Sequence, residues 1–300
     1  MVIKDIDVKS IITKSNIPAS EYAVNPYVGC AHACRYCYAS FMKRFTNHSE
    51  PWGSFVDVKH WGDIKNKEKY RGKKFFLSSV TDPYQPIEKN VGNTRRFLEQ
   101  MQGSGIRLSL STKSDLILRD LDLLKTFPEV RVSFSINTLD EKFRRQMDYG
   151  VSIERRLEAM KILYDNHIRT TCFISPIFPG ITDVESIIKR VENQCNLVWL
   201  ENLNLRGDYK AHILQWIHEN HPELDMLYHD IYALKHRVYW NRLNEKVRDF
   251  TQAEGLKYLR DTDDYQAEFG EKPIVINYFY HEEIIPSAKE NNKNKKRKQL

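Results

Sequence analysis

Short β-branched and aromatic runs alternate with helix-patterned segments from about residue 20 to 205. That alternation limits the fold more than any other feature, because strands separated by helices pair in parallel through right-handed crossovers. The strand-like runs cover residues 22–25, 74–79, 106–112, 130–136, 168–175 and 197–203. Each helical stretch between them has a recognisable start. Asn93 or Thr94 precedes 95–101, Ser114 or Asp115 precedes a Leu116, Leu118, Leu121, Leu124 stripe, Ser152 precedes 153–164, and Asp183 opens a stretch reaching Val191. Short polar side chains of this kind cap the free N–H groups of a first helical turn. Six units fall short of the eight that close a barrel. The pattern predicts an α/β fold, an open, partial (βα)6 TIM-like barrel with its site at the C-terminal strand ends.

After Arg206-Gly207 the texture changes. Residues 208–255 are helical in pattern, with Leu224, Leu227, Ile231, Leu234 and Val238 spaced by threes and fours, and Pro222 suits a helix start. Segments 257–259 and 273–281 read as late strands that cover or extend the barrel. The expected division is a barrel over 1–206, a helical and β extension packed on it over 207–285, and a disordered basic tail over 286–300.

Hydrophobic content of 41% and charged content of 29% exclude global disorder. Charge-free stretches such as 173–182 are too short to span a membrane, and Lys4, Asp5, Asp7, Lys9 and Lys14 interrupt any secretory h-region. The expected location is the cytoplasm, with no membrane partner. Of the net charge of +6, the last twelve residues carry +5, so the remainder is nearly neutral. A tail of this composition either contacts nucleic acid electrostatically or only solubilises the chain.

Three of the five cysteines fall within Cys30-Ala31-His32-Ala33-Cys34-Arg35-Tyr36-Cys37. In a reducing compartment such a cluster points to metal rather than disulfides. Three thiolates on one loop can hold three irons of a 4Fe-4S cube and leave the fourth open to a chelating small molecule. A zinc site would need a fourth ligand, and His32, the nearest, is cramped between two cysteines. On spacing alone the iron–sulfur, zinc and incidental readings all stand.

The spacing, with Tyr36 directly before the third cysteine, resembles the signature of the radical SAM superfamily. Asn25-Pro26-Tyr27 leading into Gly29-Cys30, then Cys37-Tyr38-Ala39, resembles its spore photoproduct lyase-like branch. Further blocks agree in order: residues 56–59, Thr81-Asp82-Pro83-Tyr84-Gln85-Pro86, Thr112-Lys113-Ser114, Arg119-Asp120, residues 138–140, Arg156-Leu157-Glu158-Ala159 and residues 176–180. The resemblance implies a 4Fe-4S cluster whose open iron is chelated by S-adenosyl-L-methionine. It implies reductive cleavage to a 5′-deoxyadenosyl radical, and hydrogen abstraction from a substrate by lyase-like or other radical chemistry. A flavodoxin- or ferredoxin-type donor supplies the electron, and the substrate is a nucleic acid or a peptide or protein residue. The rival is a non-catalytic Fe–S or zinc protein acting as a nucleic-acid-binding module, which would not require Asp82, Lys113 or the barrel.

Residue roles follow from the same resemblance. Cys30, Cys34 and Cys37 are the cluster ligands. Tyr36 lies beside the cluster and the adenosyl group, and Tyr36 and Tyr38 match tyrosines that relay a hydrogen atom in that branch. Ser79 and Asp82 stand where the methionine amino group is engaged, Asp82 pairing with the ammonium, and Lys113 meets the carboxylate. Ser133, Ser135 and Asn137 reach ribose hydroxyls, and backbone around Ile174 flanks the adenine. Cys172, in the fifth strand, is a hydrogen donor if its thiol points inward and a core residue if it does not; Cys195 is read as core. The branch's cysteine at the end of the second strand is missing, with Ser79 or Val80 in its place. A serine O–H bond is too strong to donate that hydrogen, so photoproduct repair does not carry over. The branch's Glu-Pro is replaced by Asp148-Tyr149.

Overall fold

The six expected strands all form and lie side by side in chain order. A computed structural model describes residues 1–17, 20–207, 209–260 and 266–279. Its strands are β1 (Tyr22–Val24), β2 (Lys74–Leu77), β3 (Arg107–Thr112), β4 (Glu129–Ser135), β5 (Arg169–Ile177) and β6 (Leu197–Asn202). Every neighbouring pair is parallel, which is the partial-barrel arrangement expected from the alternation. Ile12–Lys14 adds an antiparallel strand outside β1. Ile274–Asn277 and Tyr258–Arg260 continue the sheet in parallel beyond β6, so the late strands extend the barrel.

In-register neighbours of a parallel sheet share a face. Leu110, Val132, Thr170 and then Phe134, Cys172, Val198 run across one face. They share one hydrophobic core with Leu157, Met160, Ile187 and Val191 of the flanking helices, Thr170 lying buried among them. Each large apolar side chain buried there stabilises by roughly 1.5–3 kcal/mol relative to exposure. The opposite face carries Ser111, Ser133, Thr171 and then Ser135, Phe173, Trp199, mostly half-buried, and forms the barrel lumen.

Three of the four predicted caps are in place, whereas Asn93 and Thr94 lie inside their helix, Asn93–Met101, which starts after Gly92 with no side-chain cap. Ser114, Ser152 and Asp183 accept from the N–H groups of Leu116, Arg155 and Ser186. The leucine stripe behind Ser114 is not a single α-helix: Asp115–Asp120 is a tighter 3-10 turn, followed by a short helix, Leu121–Leu124. The tighter turn brings the buried Asp120 carboxylate to Arg95 at 3.0 Å and Arg119 at 2.8 Å. Beyond residue 206, helices Tyr209–Asn220, Asp225–Tyr232 and Val238–Ala253 match the helical texture.

A second sheet was not legible in advance. Val2–Asp7 pairs in parallel with Phe55–His60, which pairs antiparallel with Tyr27–Val28. This small sheet braces the cysteine loop. Gly29, at φ +86°, lies so close that a Cβ would stand 2.3 Å from the Phe55 carbonyl oxygen, and a Cβ on Gly53 would stand 2.7 Å from the Ala33 Cβ. Only glycine permits both approaches. Among the described residues no helix is long and apolar enough to cross a membrane. The tail at 286–300 lies outside the described residues.

Candidate active site

The cysteine loop leaves the strand Tyr27–Val28 and folds back on itself through Ala33 N–H to the Cys30 carbonyl (3.2 Å) and Cys37 N–H to the Cys34 carbonyl (3.1 Å). All three thiols are free. They lie near enough that charge on Cys34 or Cys37 raises the Cys30 thiol, after the larger effects of burial and the Asp82 carboxylate. Burial pushes the Cys34 thiol up to about 12, against the pull of the Lys113 ammonium. Three thiolates in this space therefore require added positive charge, which iron bound to thiolate supplies. Among the described residues no three His, Cys, Asp or Glu side chains converge as one metal ion would need. A cubane makes no such demand, since each sulfur binds a different iron.

Several buried polar atoms at the loop and on the lumen face have no hydrogen-bond partner among the described residues. They include both ring nitrogens of His32, Ser78 Oγ and Trp199 Nε1. Such atoms are costly unless something fills the space beside them. His32 Nε2 is 3.1 Å from Asp82 Oδ2, close enough for attraction but poorly aligned for a hydrogen bond. Ser78, at the end of β2, adopts φ +67°, a strained conformation for a non-glycine residue. Strand phase alone could not single it out from Ser79.

Asp82 is buried, and its carboxylate is already engaged. Oδ1 accepts from Tyr84 N–H and Thr112 Oγ1, both at 2.8 Å, and Oδ2 accepts from Lys113 N–H at 2.8 Å. Burial opposes its ionisation, but His32 and these N–H groups outweigh that and hold the carboxyl below its ordinary value. Its visible work is to join the ends of β2 and β3 to the cysteine loop. Lys113 is half-buried, with Nζ 5.7 Å from the centre of the Tyr36 ring. Burial would lower its pKa, yet the charges of Cys34 and Asp148 raise it, so the ammonium persists.

Tyr36 is buried, edge-on to Phe178 at 5.6 Å, with its hydroxyl 3.3 Å from Asp148 Oδ2. Tyr38 is 62% exposed and donates a hydrogen bond to the Ser79 carbonyl. Ser79 Oγ accepts from Asn25 at 3.4 Å. Asn137 donates to the Pro176 carbonyl at 3.3 Å, tying the loop beyond β4 to the end of β5. Glu201, which sequence reasoning missed, accepts from Ser175 Oγ at 2.6 Å and lies within electrostatic reach of Tyr38.

One expectation needs correction. Cys172 is fully buried on the helix-facing side of β5, in register with Phe134 and Val198 and near Cys195. Its thiol does not point inward, so it is no donor to a radical in the lumen. The Ile174 side chain shares that face, which leaves only its backbone for the mouth.

A buried ion pair behind the loop was also missed. Asp148 Oδ1 meets Arg156 at 2.6 Å, with both side chains 1% exposed. Arg156 further donates to the carbonyls of Ser135 (3.0 Å) and Val151 (2.9 Å). Residues 147–151 clamp the site: the Met147 carbonyl accepts from Arg35 N–H, Tyr149 N–H donates to the His32 carbonyl, and Val151 N–H donates to that of Lys113. An arginine on the apolar stripe of Ile153, Leu157 and Met160 was the available signal.

Residues 24–191 match the radical SAM superfamily. The chain belongs to that superfamily. Radical SAM proteins use a 4Fe-4S cluster and S-adenosylmethionine, and these are the cofactors of this chain. It is 39% identical over 219 residues to an uncharacterized protein of Methanocaldococcus jannaschii, covering 73% of this chain and 83% of that one. It is 25% identical over 174 residues to a radical SAM Nα-GlyT isomerase of Pseudomonas phage M6, covering 55% of this chain and 36% of that one. In fold it is similar to spore photoproduct lyase solved with AdoMet and dinucleoside spore photoproduct, at a TM-score of 0.57 and 17% identity over 92% of this chain and 82% of that one. That likeness extends to the radical SAM fold.

Proposed function

We propose that this radical SAM protein is an enzyme in which Cys30, Cys34 and Cys37 each bind one iron, leaving the fourth iron to S-adenosylmethionine. The observation that carries this reading is a loop of three free, mutually close thiols beside the barrel. When bound, the two cofactors supply a 5′-deoxyadenosyl radical for hydrogen abstraction. A flavodoxin- or ferredoxin-type protein of the reducing cytoplasm is the electron source.

The chain's own residues bind and shield. The Lys113 ammonium is the counter-charge for the methionine carboxylate. Ser78 and Ser79, at the end of β2, are the polar contacts for the amino group, while Asp82 holds their surroundings in place. Ser133 and Ser135 offer hydroxyls from the lumen face to the ribose, and Asn137 holds the backbone near Ile174 that flanks the adenine. Tyr36 packs beside the cofactors. Walls of half-buried Phe173 and Trp199 keep water from the reactive centre.

The rim favours nucleic acid as substrate. Tyr38, Phe41 and Phe45 are 62%, 45% and 66% exposed. The Arg44 guanidinium lies 5.5 Å from the Phe41 ring and 4.7 Å from that of Phe45. No acidic residue occurs between Glu21 and Glu50, whereas Arg35, Lys43 and Arg44 do. Exposed rings stack on bases, and this charge suits a phosphate backbone.

Anaerobically reconstituted, reduced protein given S-adenosylmethionine is expected to form 5′-deoxyadenosine, and a single-stranded oligonucleotide is expected to raise the yield. Production no higher than that of a triple cysteine-to-alanine variant, with and without oligonucleotide or peptide, would contradict the enzyme reading. Stimulation by peptide alone would contradict the substrate class. Lys113→Ala is expected to weaken S-adenosylmethionine binding about tenfold, the cost of one charge-assisted contact, with iron content unchanged. Unaltered affinity in a binding titration removes Lys113 from the site.

A further inference from the structure

Gln85 is fully buried and turns both ends of its amide toward the cysteine loop. Its Oε1 accepts from the N–H of Ala31 at 2.8 Å. Its Nε2 donates to Thr81 Oγ1 at 3.0 Å and to the Gly29 carbonyl at 3.4 Å. Thr81 Oγ1 donates to the same Gly29 carbonyl at 2.5 Å. The two peptide groups that flank Cys30 are thus both held by one side-chain pair. Thr94 anchors that pair from behind, donating to the Pro83 carbonyl at 2.6 Å.

We infer that Gln85, supported by Thr81, is a positioning residue for the Cys30 corner of the cluster and withholds the Ala31 N–H from sulfur; this rests on Cys30 being a ligand. Backbone N–H groups in a cysteine loop are the natural donors to cluster sulfur. Each such bond stabilises the extra electron of the reduced state and raises the reduction potential. Gln85 occupies one of those donors with a carbonyl oxygen, which favours a low potential. Its amide nitrogen meanwhile pins Gly29, whose positive φ sets the direction in which Cys30 leaves the strand. Among the described residues no other side chain bonds both peptide groups. A carboxylate there would lack the donor for Gly29, and a leucine of similar size would leave the Ala31 N–H and the Gly29 carbonyl without these partners.

The test compares Gln85→Leu and Thr81→Val with wild type and with Cys30→Ala. Without cluster, Gln85→Leu is expected to lose the hydrogen-exchange protection of the Ala31 amide. Reconstituted, it is expected to release iron to a chelator about tenfold faster, the usual effect of removing an outer partner of a metal ligand. Its reduction potential, followed by electron paramagnetic resonance, is expected to move positive. Unchanged protection, release and potential in a variant that folds, with Cys30→Ala having lost its cluster, overturn the role of Gln85. A full, stable cluster in Cys30→Ala overturns the ligand reading and this inference with it. If Gln85→Leu does not fold, Thr81→Val decides, faster iron release supporting the inference and wild-type release overturning it.

Discussion

Replacing Cys30, Cys34 or Cys37 singly with alanine is expected to abolish the four-iron absorbance of the reconstituted protein, while Cys172→Ala and Cys195→Ala leave it intact. The contrast follows from where the thiols sit. Three lie on one loop close enough to influence each other's ionisation, and two lie in the core between sheet and helices. A cube already one protein ligand short cannot lose another and stay closed to solvent and chelators. Replacing Cys172 or Cys195 removes only a small buried side chain, at a cost of about 1 kcal/mol. Iron and sulfide content together with absorbance check the prediction. A full, stable cluster in any single loop variant would remove that residue from the ligand set.

Breaking the Asp148–Arg156 pair is expected to be the most destabilising single change in the barrel. Either Asp148→Ala or Arg156→Ala leaves a buried charge without its closest partner, which costs roughly 3–5 kcal/mol. Losing Arg156 also strips the Ser135 and Val151 carbonyls of a donor. An apolar pair, Asp148→Leu with Arg156→Met, is expected to recover most of the loss, because it removes both charges together. Urea denaturation of the three variants checks this, and a loss of about 1 kcal/mol or less in both single variants would refute it. The pair also has a pH signature. Burial opposes ionisation of Asp148, but Arg156 and Lys113 outweigh it, so the carboxyl titrates below its ordinary value. Its stabilisation is complete above the ordinary carboxylate pKa of roughly 3.9. It is lost as pH falls through the lowered value.

The strands and caps were legible because each is written locally. Alternation in Arg107–Thr112 marks two faces, and Ser114, Ser152 and Asp183 serve the helical turns beside them. The small second sheet was not legible. Val2–Asp7 is largely exposed and meets its partner only some fifty residues away, so it has no apolar face to betray it. Cys172 was ambiguous for a related reason. Its strand is buried over several consecutive residues, so burial alone does not say which alternate set faces the lumen.

The order of βα units, the three-cysteine loop and the superfamily they announce are written in the sequence, because these depend on spacing along the chain. The partners of the polar residues come from tertiary contacts. Asp82 looked like a ligand and is already engaged by Tyr84, Thr112 and Lys113. Gln85 entered only as one residue of the Thr81–Pro86 block and holds both peptide groups beside Cys30. Arg156 stands on an apolar helix stripe and is buried against Asp148. A hydrogen bond needs its partner within about 3 Å at the right angle, and for these residues the partner is supplied by a different segment of the chain.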